Sequence, residues 1–146
     1  MIKTFRGILA DGAQDRIRLS TKKGKIGYQI VNLEIIGNKP GLSNPVESLI
    51  AIWKVEQTST QTTIDFSDGN LLAVALWTMG ETTYSHDLVI IFDNEVFNQD
   101  VYVTHVDIQG AEACNYMLKL ETQTLTDNAN AVSTLRDIRL NPQKHA

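Results

Sequence analysis

Apolar residues in this chain recur mostly at every second position, the spacing of β-strands and not of helices. Residues 27–36 show it most clearly, with Gln29, Val31, Leu33 and Ile35 on one face and Tyr28, Ile30, Asn32, Glu34 and Ile36 on the other. Ile2–Leu9 reads as a strand, and residues 16–20 resume with Ile17 and Leu19 on one face. Residues 49–56 set Leu49, Ala51, Trp53 and Val55 inward against Ile50, Ile52, Lys54 and Glu56. Residues 101–108 oppose Val101, Val103 and His105 to Tyr102, Thr104, Val106 and Ile108, and residues 116–125 oppose Tyr116, Leu118 and Leu120 to Met117, Lys119 and Glu121. Residues 62–66 form a short β-branched run. Two further runs, 71–78 and 88–92, are apolar without alternation and too short for a comfortable helix, which predicts central strands buried on both faces.

Turn chemistry separates these runs. Asp11-Gly12 and Ser67-Asp68-Gly69-Asn70 are turn signals, and residues 21–25 read as a hairpin loop with Gly24 at positive φ. Residues 37–48 hold Gly37, Pro40, Gly41 and Pro45 and form the longest irregular stretch, while 80–87 and 93–100 read as a polar loop and a turn. Only the end reads as a helix: Thr126 or Asp127 caps residues 127–140, Ala131, Val132, Leu135 and Ile138 make one apolar stripe, and Pro142 stops it. The pattern predicts an all-β fold, an antiparallel β-sandwich of jelly-roll or Greek-key kind with a C-terminal α-helix, as one domain over residues 1–146.

Charge changes this picture by being sorted along the chain. Residues 1–39 carry Lys3, Arg6, Arg16, Arg18, Lys22, Lys23, Lys25 and Lys39 against only Asp11, Asp15 and Glu34, whereas residues 40–135 carry Lys54 and Lys119 against thirteen acids. A domain built so can set a basic face of one copy on an acidic face of another, which favours an assembly protein over an enzyme. The interface candidates are therefore Arg16, Arg18, Lys22, Lys23 and Lys25 of the basic loop, together with Leu135 and Ile138 of the helix stripe. The expected partners are a second copy and other structural proteins. A pI near 5.3 and the shortage of stacking aromatics beside these lysines argue against nucleic acid.

Size and composition add bounds. At 146 residues with 42% hydrophobic content, the chain can bury a core without staples. No segment approaches the roughly 20 apolar residues of a membrane-spanning helix, and the start has no apolar run of signal-peptide length, so synthesis in the cytoplasm is expected. The lone Cys114 excludes an internal disulfide and, with no histidine near it in sequence, reads as a packing residue.

Candidate chemistry is sparse. His86 neighbours Asp87, His105 sits at an alternating strand position, and His145 lies near the end of the chain, without a Gly-x-Ser-x-Gly elbow, a phosphate loop or a His-Glu-x-x-His motif. Asp65, Asp68 and Asn70 on one side, and Asp93, Asn94, Glu95 and Asp100 on the other, offer oxygen ligands for Ca²⁺, but turn formation explains the same residues. No catalytic residue, metal or cofactor is expected. Trp53 and Trp77 fall on apolar strands and are expected in the core; exposed beside paired acids, they would instead suit a carbohydrate- or receptor-binding module.

Arg16-Ile17-Arg18-Leu19-Ser20-Thr21, Gly27-Tyr28-Gln29-Ile30-Val31, the run from Ile90 through Asp93-Asn94-Glu95-Val96-Phe97 to His105, and Thr134-Leu135-Arg136-Asp137-Ile138-Arg139 resemble small β-rich proteins encoded by marine phages and environmental virus genomes. The resemblance implies a bacteriophage virion component, such as a capsid decoration, vertex or minor capsid protein, and virion localisation after synthesis in the host cytoplasm. It carries over no catalytic residues.

Overall fold

Among the described residues the alternating pattern becomes eight strands: β1 (Ile2–Leu9), β2 (Gln14–Ile17), β3 (Ile26–Gly37), β4 (Val46–Trp53), β5 (Leu71–Gly80), β6 (Thr83–Ile91), β7 (Val101–Asp107) and β8 (Cys114–Thr124). The computed structural model describes residues 1–126 apart from 22, 23, 42, 43, 61, 81, 82, 93 and 94. The expected helix over 127–140 lies outside the described residues, and among those described there is no helix.

Every ladder is antiparallel, and the strands form two sheets, β1-β8-β3 and β2-β7-β4-β5-β6. The order is that of one long ribbon folded on itself. β1 pairs with β8, β2 with β7 and β4 with β5, and the remaining nested pair, β3 and β6, touches without a ladder. This is jelly-roll connectivity, modified in that β6 stays hydrogen-bonded to β5 and extends the larger sheet.

The core fills the space between the sheets. β8 contributes Cys114, Tyr116, Leu118 and Leu120, β3 contributes Tyr28, Ile30, Leu33 and Ile35, and the larger sheet answers with Ile50, Ile52, Ala73, Ala75, Trp77, Val101 and Val103. Close packing shows at Gly37, where an added Cβ would stand 2.3 Å from the Trp77 ring; glycine lets the indole come this close to β3. A second cluster of Ala51, Trp53, Leu71, Val74 and Tyr102 lies on the outer face of the larger sheet, with Ile64, Ile90 and Phe92 against it.

Several expectations need correction. Residues 21–25 are not a hairpin loop: Gly24 does take φ 60°, but β2 and β3 belong to different sheets, so the segment crosses between them. In β3 the alternation slips at a bulge between Ile30 and Asn32, which moves Gln29 and Val31 to the outer face with Glu34 and Ile36. β4 is buried on both faces, Ile50 and Ile52 in the main core and Ala51 and Trp53 in the second cluster. Residues 62–66 form no strand, and 83–87 are strand instead of loop. Residues 71–78 are central as expected, but 88–91 belong to the edge strand β6, where Leu88 is 54% exposed.

Candidate functional site

The basic-loop candidates divide. Arg16 is held within the molecule: its Nε and Nη2 donate to Asp100 Oδ2 at 2.7 and 2.6 Å. Asp100 Oδ1 accepts the Leu19 and Ser20 amides at 2.7 and 2.8 Å. Burial alone would push this carboxyl up, but the Ser20 and Leu19 amides and the Arg16 guanidinium outweigh it and hold the pKa at about 2. Asp100 therefore fastens the inter-sheet crossing to the start of β7, and Arg16, whose side chain is 48% exposed, is its ion-pair partner. Arg18 and Lys25 are exposed, while Lys22, Lys23, Leu135 and Ile138 lie outside the described residues.

Other titratable groups are also used to hold backbone. Asp107 accepts amides of Glu47, Gln109 and Gly110 at Oδ1 and of Glu112 at Oδ2. Burial opposes its charge, yet these donors keep its pKa below the ordinary value. Lys54, buried at the end of β4, pairs with Glu95. Asp65 and Asp68 accept the amides of Ser67 and Asn70 two residues on, the turn role expected of them. His105 is wholly buried, with Nδ1 3.1 Å from the Ala10 carbonyl oxygen and Nε2 without a partner among the described residues. Cys114 is fully buried, and burial pushes its thiol up to about 11, which fits packing and not nucleophilic attack. His86 and Asp87 are successive residues of β6 and point to opposite faces, so this carboxylate does not orient that imidazole. Trp53 and Trp77 are core, 3% and 5% exposed.

The outer face of the smaller sheet is different. The ladders align Ile8, Asn115 and Ile36 in one row and Arg6, Met117 and Glu34 in the next. These side chains, with Asp87 of β6 at the margin, line an open groove of about 650 Å³. Ile8 and Ile36 are 55% and 49% exposed, and neither Arg6 nor Glu34 forms an ion pair among the described residues. Sequence reasoning missed this groove. The available signal was isoleucine on the outward phase of β1 and β3, obscured in β3 by the bulge.

No family model matches the chain, and no curated protein matches it. Solved structures do. The chain is similar to the VP1 protein of Trichodysplasia spinulosa-associated polyomavirus, solved in complex with 3′-sialyllactose, with a TM-score of 0.53 and 10% identity over 86% of this chain and 95% of that one. It is also similar to a protein of Bacillus endospore appendages, disulfide-linked pili, with a TM-score of 0.38 and 11% identity over 86% and 88% of the two chains. The VP1 likeness is one of fold: a viral capsid-like, all-β antiparallel architecture. No helix among the described residues is long and apolar enough to cross a membrane.

Proposed function

We propose that this chain is a non-enzymatic structural component of a virus particle, of the decoration or minor-capsid kind, working by self-association and by docking on a larger shell. The supporting observation is the nested strand order, 1 with 8, 2 with 7 and 4 with 5, in a chain whose fold is similar to that of a viral capsid protein. Fold alone does not decide function. The disposition of polar groups adds to it: Asp100 and Asp107 fasten crossings and loops, while the smaller sheet's outer face turns isoleucine, methionine and the charges of Arg6 and Glu34, unpaired among the described residues, outward. On this reading the chain resides in the virion after synthesis in the host cytoplasm, and the resemblance to marine-phage proteins makes the virus a bacteriophage. Its partners are copies of itself and other virion proteins, not nucleic acid.

A glycan-binding module is the second reading, favoured by the sialyllactose complex of the similar VP1. It lacks the indole platform that sequence reasoning looked for, since both tryptophans are core.

Sedimentation velocity over a concentration and salt series tests the leading reading. Multimers that grow with concentration and dissociate with added salt are expected, because screening over about 8 Å at physiological ionic strength weakens contacts between charged faces. A chain that stays monomeric throughout, and that binds a sialylated oligosaccharide on a glycan array, would transfer the assignment to the second reading.

A further inference from the structure

The groove on the smaller sheet has a charge pattern that matches its own rotated copy. Across one row, β1 presents Arg6, β8 presents Met117 and β3 presents Glu34, and Asp87 of β6 also lines the groove. The next row reads Ile8, Asn115, Ile36. Positive charge stands at one margin, negative charge at the other, and apolar side chains between and beside them.

A two-fold axis parallel to β8 and lying between two such faces keeps each row in place and sets β1 of one copy over β3 of the other. Arg6 then faces Glu34 of the second copy, twice by symmetry. Ile8 faces Ile36 twice, Met117 faces Met117, and Asn115 meets Asn115. Sheets stacked face to face lie about 10 Å apart, within reach of arginine and glutamate side chains extended from both sides. Within one copy, Arg6 and Glu34 stand two strands apart, about 9.6 Å at the backbone.

We infer that this face is an isologous contact between two copies of the chain, related by a two-fold along β8. The occupant is a second copy because the Arg6–Met117–Glu34 and Ile8–Asn115–Ile36 rows are antisymmetric about the central strand, a property that self-pairing requires and an unrelated partner does not. In the two rows beyond, the axis brings Lys119 to Lys119 and Glu121 to Glu121, with each lysine one row, about 6.8 Å along the strand, from the glutamate of the other copy. The four outward rows, from Ile2–Glu121–Gln29 to Ile8–Asn115–Ile36, span three strands. That is a footprint of roughly 400 Å² per copy, from spacings of about 4.8 Å between strands and 6.8 Å between rows. A contact of that size is weak alone, the strength suited to a lattice in which many copies repeat it. The inference rests on the proposed role in assembly and names the surface that performs it.

The test uses the full chain with Arg6→Glu and Glu34→Arg, both exposed positions, after circular dichroism and melting have confirmed folding of each variant. Sedimentation equilibrium into the high micromolar range should show each single variant associating on the order of tenfold more weakly than the parent, because two attractive contacts become repulsive. Mixing the two variants should restore association as a heterodimer. The carboxylate introduced on β1 of one copy then faces the guanidinium introduced on β3 of the other, and the unchanged Glu34 of the first faces the unchanged Arg6 of the second. Association that persists unchanged in both single variants would place the contact on another face and overturn this inference while leaving the assembly role standing. A parent that is monomeric at every concentration would overturn both.

Discussion

Replacing Asp100 by asparagine tests how the crossing between sheets is held. The carboxylate accepts the Leu19 and Ser20 amides at one oxygen and two Arg16 donors at the other, and it is 7% exposed. Its pKa falls from 3.8 to about 2 on folding, a gap that corresponds to roughly 2.5 kcal/mol at about 1.4 kcal/mol per unit. Asp100→Asn preserves size and one acceptor oxygen but removes the charge and turns an amide NH₂ toward Arg16. Urea unfolding at pH 7 should show a loss of about 2 kcal/mol, within the range for hydrogen bonds to charged groups. The pH dependence supplies a second signature. Between the two pKa values the unfolded chain binds more protons at this group than the folded one, so its contribution is complete above about pH 4 and drains away as pH falls through about 2. The variant should lack that share of the acid-induced loss and retain the share due to Asp107. Arg16→Gln should cost less, since its side chain is 48% exposed and solvent screens the pair. An Asp100→Asn protein within about 0.5 kcal/mol of the parent at pH 7, with an unchanged slope between pH 4 and 2, would refute the clasp.

Gly37→Ala should destabilise the fold by about 1–3 kcal/mol in chemical denaturation, because the new methyl enters the Trp77 ring; an unchanged midpoint would mean the indole has room to shift. Native-state amide exchange should be slowest in the interior strands β4 and β5 and faster along the open side of β6; equal protection of β6 would contradict its edge position. Cys114 should resist a thiol reagent at pH 8 in the folded protein and react once it unfolds, with a thiol held up to about 11 by burial; prompt reaction under native conditions would contradict the packing role.

How much was legible depended on whether a local pattern had one physical reading. β1 was read with its full extent, and β7 and β8 with their facing residues, because strict alternation admits one inner face. The phase of β3 was lost at its bulge: an extra residue next to Ile30 leaves the composition of a strand intact while reversing which side chains meet the core. Residues 88–92 were misplaced because an apolar run looks alike in a central strand and in an edge strand whose two faces serve two clusters. Val89 and Ile91 pack on the main core, and Ile90 and Phe92 on the second. Arg16 drew attention by its charge, but the acid that neutralises it lies 84 residues away, beyond any local signal. The groove was equally hidden, since Arg6, Met117 and Glu34 meet only through ladders between distant strands.

Membership of a virus particle is tested most directly by quantitative mass spectrometry of purified particles from an infection in which this chain is expressed. The chain should copurify with the major capsid protein through a density gradient, at a fixed copy ratio that survives nuclease treatment. Its confinement to the soluble lysate, with none in the particles, would contradict the structural role.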